Sequence, residues 1–293
     1  MLALTPGTTF GSYRISNPVG HPGDTLRPWC PGFRPQVGGN DSRKESASVY
    51  IAHLAADRQV ALKVLPAECL QHPECSFRLE QEAAILAQLS HRNIVVALDL
   101  GRESDRLYMA MTPIAGGALS RLLGEGRLKT SHALAILHGV ATALDYVHGK
   151  GVVHRNVAPQ NILLGDAGHP FLADFCIAKR LKFSVEWIGT DVVTGTPPYM
   201  APEQVGGFTA DQSSDIYALG VVAYEMFTGR RPFEGTNLMH KIVHEPAPPP
   251  RHWNKELRPR CDEIFASVLA KNPHERYPSA SAFVSALEEG LAP

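Results

Sequence analysis

The sequence predicts an α+β protein with two unlike lobes, and three observations support this fold class. Strand-like runs of β-branched and aromatic residues occupy the first third of the chain. Helical apolar periods dominate the remainder, and 44% of the 293 residues are hydrophobic, which is enough for a full core. Strands followed by helices are typical of α+β chains, and we expect a ligand cleft between the two lobes.

Charge and composition exclude several classes of function. The chain has 28 Lys and Arg against 29 Asp and Glu, a net charge of -1, so it lacks the basic excess expected for binding nucleic acid or acidic membranes. It contains no apolar run of about 18 residues that would span a bilayer, and its amino end does not resemble a secretory signal. Five irregularly spaced cysteines indicate a reducing compartment, so we expect a cytoplasmic protein.

The first lobe is predicted to contain a long loop and a hairpin. Residues 20–47 are rich in Gly, Pro, Ser and charge and follow neither a strand nor a helix period, which indicates a loop. Residues 48–52 and 59–65 are typical of two strands, and the polar turn between them predicts a hairpin. Lys63 interrupts the apolar run of the second strand.

A helix is predicted over residues 77–89. Its apolar face contains Leu79, Leu86 and Leu89, and Glu82 falls on the same face. A buried carboxylate is costly unless it is paired, and Lys63 is the lysine available upstream. The alternative is an exposed Glu82 at the edge of the apolar stripe, with Lys63 extending to water. The periodicity supports both interpretations equally.

The second lobe is predicted to be mainly helical. Apolar residues repeat at helical spacing over residues 131–148, and glycines follow this helix. Residues 161–164 and 171–174 predict a second short hairpin. Residues 213–227 begin with Ser and Asp capping residues, are apolar nearly all round and are followed by Gly229, so we expect a central buried helix.

Several polar motifs follow one another in a fixed order along the chain. They are Val60-Ala61-Leu62-Lys63, Glu82, His154-Arg155-Asn156-Val157-Ala158-Pro159-Gln160-Asn161, Asp174-Phe175-Cys176 and Ala201-Pro202-Glu203. Together they resemble the signature set of protein kinases, in the same order and at the same spacing. With Asp215-Ile216-Tyr217 and Arg276 they cover nearly the whole chain, which makes chance agreement a poor explanation.

The resemblance is to bacterial Ser/Thr protein kinases of the eukaryotic, or Hanks, type. It implies a bilobal protein-kinase-like fold in which residues 11–114 form a small β-rich N-lobe with one key helix. Residues 115–290 would form a larger helical C-lobe. It also implies a structural ion pair between Glu203 and Arg276.

The resemblance implies that ATP and Mg²⁺ are the cofactors. Lys63 looks like the lysine that holds the α- and β-phosphates, and Glu82 looks like its helix partner. Asn161 and Asp174 look like the oxygen ligands of the metal ion. The other positions that the resemblance assigns to the nucleotide are Gly20, Val49, Ala61, Met111, Thr112, Ile114 and Leu163.

Two positions in the catalytic loop depart from the kinase pattern. Kinases carry an Asp that orients the substrate hydroxyl and accepts its proton, and this chain has Asn156 there. Two residues later, a Lys normally steadies the transferring phosphoryl group, and this chain has Ala158. General acid–base groups contribute about 10²–10⁴ in rate and a preorganised donor about 10²–10³. The exchanges therefore predict a large loss of phosphotransfer.

The glycine-rich loop of the kinase pattern is also interrupted. Its ends align with Gly20 and Val49, which are 49 − 20 = 29 positions apart, where the motif needs about seven. A long loop adds little closure cost, because that cost grows with the logarithm of length. Two interpretations remain open: an insertion without a role, or a loop bearing Trp29 and Cys30 that binds a partner or caps the pocket.

Two functional hypotheses follow. The first is a pseudokinase that acts by protein binding and scaffolding, either gated by nucleotide or constitutive, because Asn156 and Ala158 stand in an otherwise intact motif set. Its expected partner is a protein, either an active kinase or a kinase substrate. The second is a weakly active ATP-dependent Ser/Thr kinase, since positioning and charge do most of the work in phosphoryl transfer. The sequence shows no appended sensor or anchor, so we expect regulation by a separate partner.

Overall fold

A computed structural model describes most of the chain, and the described residues form two compact units. The described residues are 4–18, 48–54, 58–65, 77, 80, 84–175 and 197–292. The first unit contains the described residues before His91 together with Val95–Ile114. The second takes in His91–Ile94 and the described residues from Ala115 onward. Gly20, Glu82 and the predicted loop over residues 20–47 lie outside the described residues.

The first unit is built on a six-stranded antiparallel sheet. Its strands are β1 (Thr9–Phe10), β2 (Tyr13–Pro18), β3 (Ser48–Leu54), β4 (Arg58–Val64), β5 (Ala97–Glu103) and β6 (Arg106–Met111). Their order across the sheet is β1-β2-β3-β4-β6-β5. The predicted hairpin is confirmed as β3 and β4, which pair in an unbroken register from Ser48 opposite Val64 to Leu54 opposite Arg58.

The core of the first unit lies on one face of this sheet. Side chains alternate between the faces of a strand, so every second residue points the same way. The buried cluster on this face is Phe10, Tyr13, Ile15, Tyr50, Ala52, Val60, Leu62, Val64 and Ala110. The residues between them in β3, β4 and β6 must therefore point to the opposite face.

The helix predicted over residues 77–89 ends earlier than expected. Among its described residues, 77, 80 and 84–86 are helical, and the chain turns at residues 87 and 88. The Leu89 N–H donates to the Leu86 carbonyl at 3.2 Å. This hydrogen bond joins residues three positions apart and closes a turn, whereas a hydrogen bond within an α-helix joins residues four positions apart. Leu86 and Leu89 are both buried as predicted, but Leu89 reaches the core from this turn.

The second unit is mainly helical, with one short hairpin. Its helices are α1 (Leu119–Leu123), α2 (Thr130–Gly149), α3 (Pro202–Val205), α4 (Gln212–Thr228), α5 (Leu238–His244), α6 (Pro259–Val268) and α7 (Ala280–Leu291). The predicted hairpin is confirmed as β7 (Ile162–Leu164) and β8 (Pro170–Leu172). Within the described ranges, none of the helices has both the length and the apolar character that a membrane span requires.

The long helices α2 and α4 confirm the sequence interpretation. The N-cap of α4 is Asp211, which precedes the Ser and Asp residues predicted as caps, and its side chain accepts the Ser213 N–H at 2.8 Å. The helix ends at Gly229 with φ 72°. That positive φ is in the left-handed region, which glycine adopts without steric cost. Nearly every side chain of α4 is buried, as expected for a central helix.

A buried ion pair joins α3 to the segment before α7. Arg276 Nη1 donates to Glu203 Oε1 at 2.7 Å, and Nη2 donates to Oε2 at 2.8 Å. The Arg276 side chain is 0% exposed and that of Glu203 is 11% exposed. Ser214 also donates to Glu203 Oε1, at 2.6 Å. The bidentate geometry is the strong form of this interaction, and the expected Glu203–Arg276 pair is present.

Replacement of Arg276 should destabilise the protein strongly. We expect Arg276→Ala to lower the free energy of unfolding by about 3–5 kcal/mol, because it leaves the Glu203 carboxylate buried without its counter-charge. Arg260→Ala is the matched control, since Arg260 pairs with Glu263 at 3.6 Å while their side chains are 69% and 76% exposed. The control should change stability by less than about 1 kcal/mol. Urea denaturation measures both, and equal losses would contradict this ranking.

Glu203 should also make stability depend on pH. Burial alone would raise its pKa, but hydrogen bonds from Arg276 and Ser214 outweigh burial and hold the pKa below its ordinary value of 4.5. The stability that it contributes is therefore present above about pH 4.5 and lost as the pH falls through the lower folded-state pKa. We expect the difference in urea midpoint between the wild type and Glu203→Gln to shrink from about pH 6 to about pH 3.5. A difference that stays constant would be inconsistent with this role.

Candidate functional site

The backbone of residues 154–161 is anchored by Asp215 of the central helix α4. Asp215 Oδ2 accepts the His154 N–H at 2.8 Å, and Oδ1 accepts the Arg155 N–H at 2.7 Å. His148 Nε2, in the last turn of α2, lies 2.7 Å from Asp215 Oδ2. Asp215 is only 1% exposed, so these hydrogen bonds act in a medium of low dielectric constant, where they are strong.

His154 connects this loop to the segment that follows β8. Its Nδ1 accepts the Asn156 N–H at 3.2 Å, so Nε2 carries the proton and donates to the Ala173 carbonyl at 3.1 Å. Burial lowers the pKa of His154 below its ordinary value, which agrees with a neutral ring. The ring also packs against Phe175, with centroids 4.4 Å apart. His154 therefore contacts the residues on both sides of Asp174, the backbone of Ala173 and the side chain of Phe175.

Three predicted site residues meet at this point. Asn156 Nδ2 donates to Asp174 Oδ2 at 3.4 Å, and Asn161 Nδ2 donates to the Asn156 carbonyl at 2.7 Å. Because the Asn161 amide nitrogen is used in this bond, its Oδ1 is the side-chain atom that can act as a metal ligand. An amide oxygen and a carboxylate are ligands that suit Mg²⁺, so the residues present fit the expected metal.

Ala158 lies inside the loop and is 0% exposed. Its backbone is extended, with φ -163° and ψ 158°, and it precedes a single 3₁₀ turn at Pro159–Asn161. The Asn161 N–H donates to the Ala158 carbonyl at 2.9 Å and closes that turn. At position 158 this chain thus has a methyl group where the family pattern has a lysine side chain with its ammonium group.

Gln204 supports the loop from α3, and the sequence interpretation missed it. Its Nε2 donates to the Arg155 carbonyl at 3.2 Å, and its Oε1 accepts the Ala201 N–H at 3.0 Å. Arg155 has φ 66°, a left-handed conformation that costs energy for a residue other than glycine and needs external support. A Gln three residues after the helix N-cap is half of a capping box, which is the signal that the sequence offered.

The predicted nucleotide residues of the first unit lie on one face of its sheet. Val49 is opposite Lys63, Lys63 is opposite Met109, and Ala61 is opposite Met111. These positions alternate with the buried core cluster, so they all point to the other face. Lys63 is 6% exposed, and a buried ammonium group requires polar or anionic partners.

The other two described nucleotide positions of the first unit, Thr112 and Ile114, follow β6. The Thr112 N–H donates to the Val96 carbonyl at 3.0 Å, which fixes the backbone at the end of the strand. Both Thr112 and Ile114 are partly exposed. The implied contacts of this segment with the nucleotide stay a prediction.

Leu163, the predicted nucleotide contact of the second unit, lies on β7 and forms a bridge with Ala118. Next to this bridge, the Leu164 N–H donates to the Gly117 carbonyl at 2.8 Å. A Cβ atom on Gly116 would lie 2.3 Å from the Leu164 carbonyl oxygen, so this close backbone approach requires glycine. The adjacent Gly116 and Gly117 were the sequence signal for this contact, and the sequence interpretation did not use it.

Comparisons with known proteins agree with this geometry. The family model described as "Protein kinase domain" matches residues 44–286. The chain is 36% identical over 253 residues to the serine/threonine-protein kinase Pkn1 of Myxococcus xanthus. The aligned region covers 84% of this chain and 36% of that protein. It is 38% identical over 239 residues to the serine/threonine-protein kinase PknA of Mycobacterium tuberculosis. This aligned region covers 78% of this chain and 54% of that protein. The chain thus spans about a third to a half of these relatives.

A solved structure extends the similarity to the fold. The kinase domain of Mycobacterium tuberculosis PknI matches with a TM-score of 0.71 and 27% sequence identity, covering 98% of this chain and all of that one. The predicted α+β class and kinase-like fold are therefore confirmed. The family match over residues 44–286 and the bacterial Ser/Thr kinases among the relatives show that this chain belongs to the protein kinase family.

Proposed function

We propose that this chain is a pseudokinase that binds ATP and acts through contacts with a protein partner, with phosphotransfer absent or very weak. The observation that carries the proposal is the direction of the Asn156 side chain, whose Nδ2 donates to Asp174 Oδ2 at 3.4 Å. A catalytic base at this position would have to accept a proton from the substrate hydroxyl. The Asn156 amide nitrogen carries protons already and has no basic lone pair.

The second support is the buried methyl group of Ala158. Stabilisation of a transferring phosphoryl group depends on preorganised positive charge, and Ala158 supplies none. Together the two exchanges would remove about four to seven orders of magnitude in rate if their effects added, although groups that act as a unit rarely add fully. Such losses turn a kinase into a binding protein.

The residues expected to bind nucleotide are retained. Lys63 shares a sheet face with Val49 and Ala61 in the first unit, while Asn161 and Asp174 meet Asn156 in the second. Asn161 and Asp174 would hold Mg²⁺, which would supply positive charge to neutralise the nucleotide phosphates. In this proposal the chain's residues position the nucleotide, and the contact with the partner is either gated by the nucleotide or constitutive.

The expected partner is another protein, either an active kinase or a kinase substrate. The net charge of -1 offers no general attraction for nucleic acid or an acidic membrane. The five irregularly spaced cysteines support a cytoplasmic location, and among the described residues Cys261 is a free, buried thiol.

Phosphotransfer tests this proposal directly. With γ-labelled ATP and Mg²⁺ or Mn²⁺, we expect the wild type to label itself and a generic acceptor no more than Asp174→Ala does. Asn156→Asp combined with Ala158→Lys should raise labelling by at least about 10²-fold, because it restores a base and a cation. Asn156→Asp alone accompanies the pair, since Ala158 is fully buried and a lysine there must find room. Clear wild-type labelling that Asp174→Ala abolishes would show an active kinase.

Thermal melting tests nucleotide binding separately. ATP with Mg²⁺ at about 100 times the Kd should stabilise the wild type by about 2.7 kcal/mol, a rise in Tm of about 5–10 °C. Lys63→Met should remove most of this rise, because it deletes the phosphate contact. Lys255→Met is the matched control at an exposed position of the second unit and should keep the rise. The absence of a rise in the wild type, or an equal rise in Lys63→Met, would contradict nucleotide binding through Lys63.

A further inference from the structure

The carboxylate of Asp174 lies in a confined setting. Asp174 is partly buried and has φ 64°, an unusual backbone conformation for a residue other than glycine. A carboxylate that is partly removed from water needs donors or counter-charges around it. Asn156 provides one such donor through Nδ2, 3.4 Å from Asp174 Oδ2.

The position of this donor is fixed by the backbone on both sides of it. The Asn156 N–H donates to His154 Nδ1 at 3.2 Å, and the Asn156 carbonyl accepts from Asn161 Nδ2 at 2.7 Å. The acceptor is fixed as well, because the preceding Ala173 donates its N–H to the Asn161 carbonyl at 2.9 Å. Donor and acceptor therefore face each other.

We propose that the Asn156 amide takes the place of a cation at Asp174, so that the site keeps its geometry without divalent metal and binds free Mg²⁺ or Mn²⁺ only weakly. This inference rests on the proposed function, in which Asp174 is a metal ligand. A metal ion that binds Asp174 through Oδ2 has to displace the amide donor or share that oxygen with it. The hydrogen bond thus competes with the metal for Oδ2.

The electrostatics of the substitution support this competition. An Asp at position 156 would put a second carboxylate about as far from Asp174 as the amide is now, 3.4 Å. Two carboxylates at that distance repel each other unless a cation lies with them. Asn156 removes this repulsion, because its amide donates a hydrogen bond to Asp174 Oδ2. Ala158 adds no charge to the same loop.

Binding of Mn²⁺ alone, without nucleotide, tests the inference in this chain. The paramagnetic relaxation of water protons reports the Kd for Mn²⁺ in the wild type and in each variant. We expect Asn156→Ala to bind Mn²⁺ about 2- to 10-fold more tightly than the wild type, because it removes a competing hydrogen bond without adding charge. Asn156→Asp should bind more than about 10-fold more tightly, because it adds a carboxylate.

Thermal melting gives a second readout. In EDTA, Asn156→Asp should melt about 2–4 °C below the wild type, and Mn²⁺ should restore the loss, whereas the wild-type Tm should not respond to EDTA. Asn272→Asp is the matched control, because Asn272 Nδ2 is also 3.4 Å from a carboxylate oxygen, that of Glu275, but is exposed. It should leave both Tm and Mn²⁺ affinity unchanged.

Two results would overturn the inference: wild-type Mn²⁺ affinity equal to that of Asn156→Asp, or Asn156→Ala affinity no higher than that of the wild type. Circular dichroism on each variant confirms that it is folded. The proposed function fails on a different observation, which is labelling that depends on Asp174. A wild type that binds Mn²⁺ tightly and transfers no phosphate would therefore sink this inference and leave the pseudokinase proposal standing.

Discussion

The organisation of the site depends on one buried carboxylate, that of Asp215. It receives two consecutive backbone N–H groups, from His154 and Arg155, and lies within hydrogen-bond distance of His148. Two adjacent N–H groups that point to one acceptor force the chain into a sharp turn, which accounts for the positive φ of Arg155. The conformational cost of this turn is offset because a central helix holds the Asp215 carboxylate in place and Gln204 donates a hydrogen bond to the Arg155 carbonyl.

Glu203 plays a comparable role for α3. Its carboxylate is also buried and also organises donors from distant parts of the chain, in this case Arg276 and Ser214. Ser214 and Asp215 are neighbours at the start of α4. The first turn of this helix therefore supplies both the Ser214 donor to Glu203 and the Asp215 carboxylate. Fixing this helix, which is buried nearly all round, therefore fixes the loop over residues 154–161 and α3 together.

The sequence predicted those features that arise from local pattern. The end of α4 was readable because Gly229 terminates an apolar period, and the strand position of Lys63 was readable because Lys63 interrupts the apolar run of β4. The end of the helix over residues 77–89 was not readable, because a bond between Leu89 and Leu86 closes a turn without breaking the apolar spacing. The contact of Asn156 with Asp174 was also beyond prediction, since it joins residues 18 positions apart through backbone bends set by tertiary contacts.

The hydrogen bonds that hold the loop go almost entirely to its backbone. Asp215 binds N–H groups, His154 binds the N–H of residue 156, and Asn161 binds its carbonyl. None of these bonds depends on which side chain stands at position 156 or 158. The loop can therefore exchange its base for an amide and its lysine for a methyl group while it keeps its shape. Because the bonds that hold the loop and the side chains at positions 156 and 158 involve different atoms, the loss of phosphotransfer that we propose requires no change in the fold.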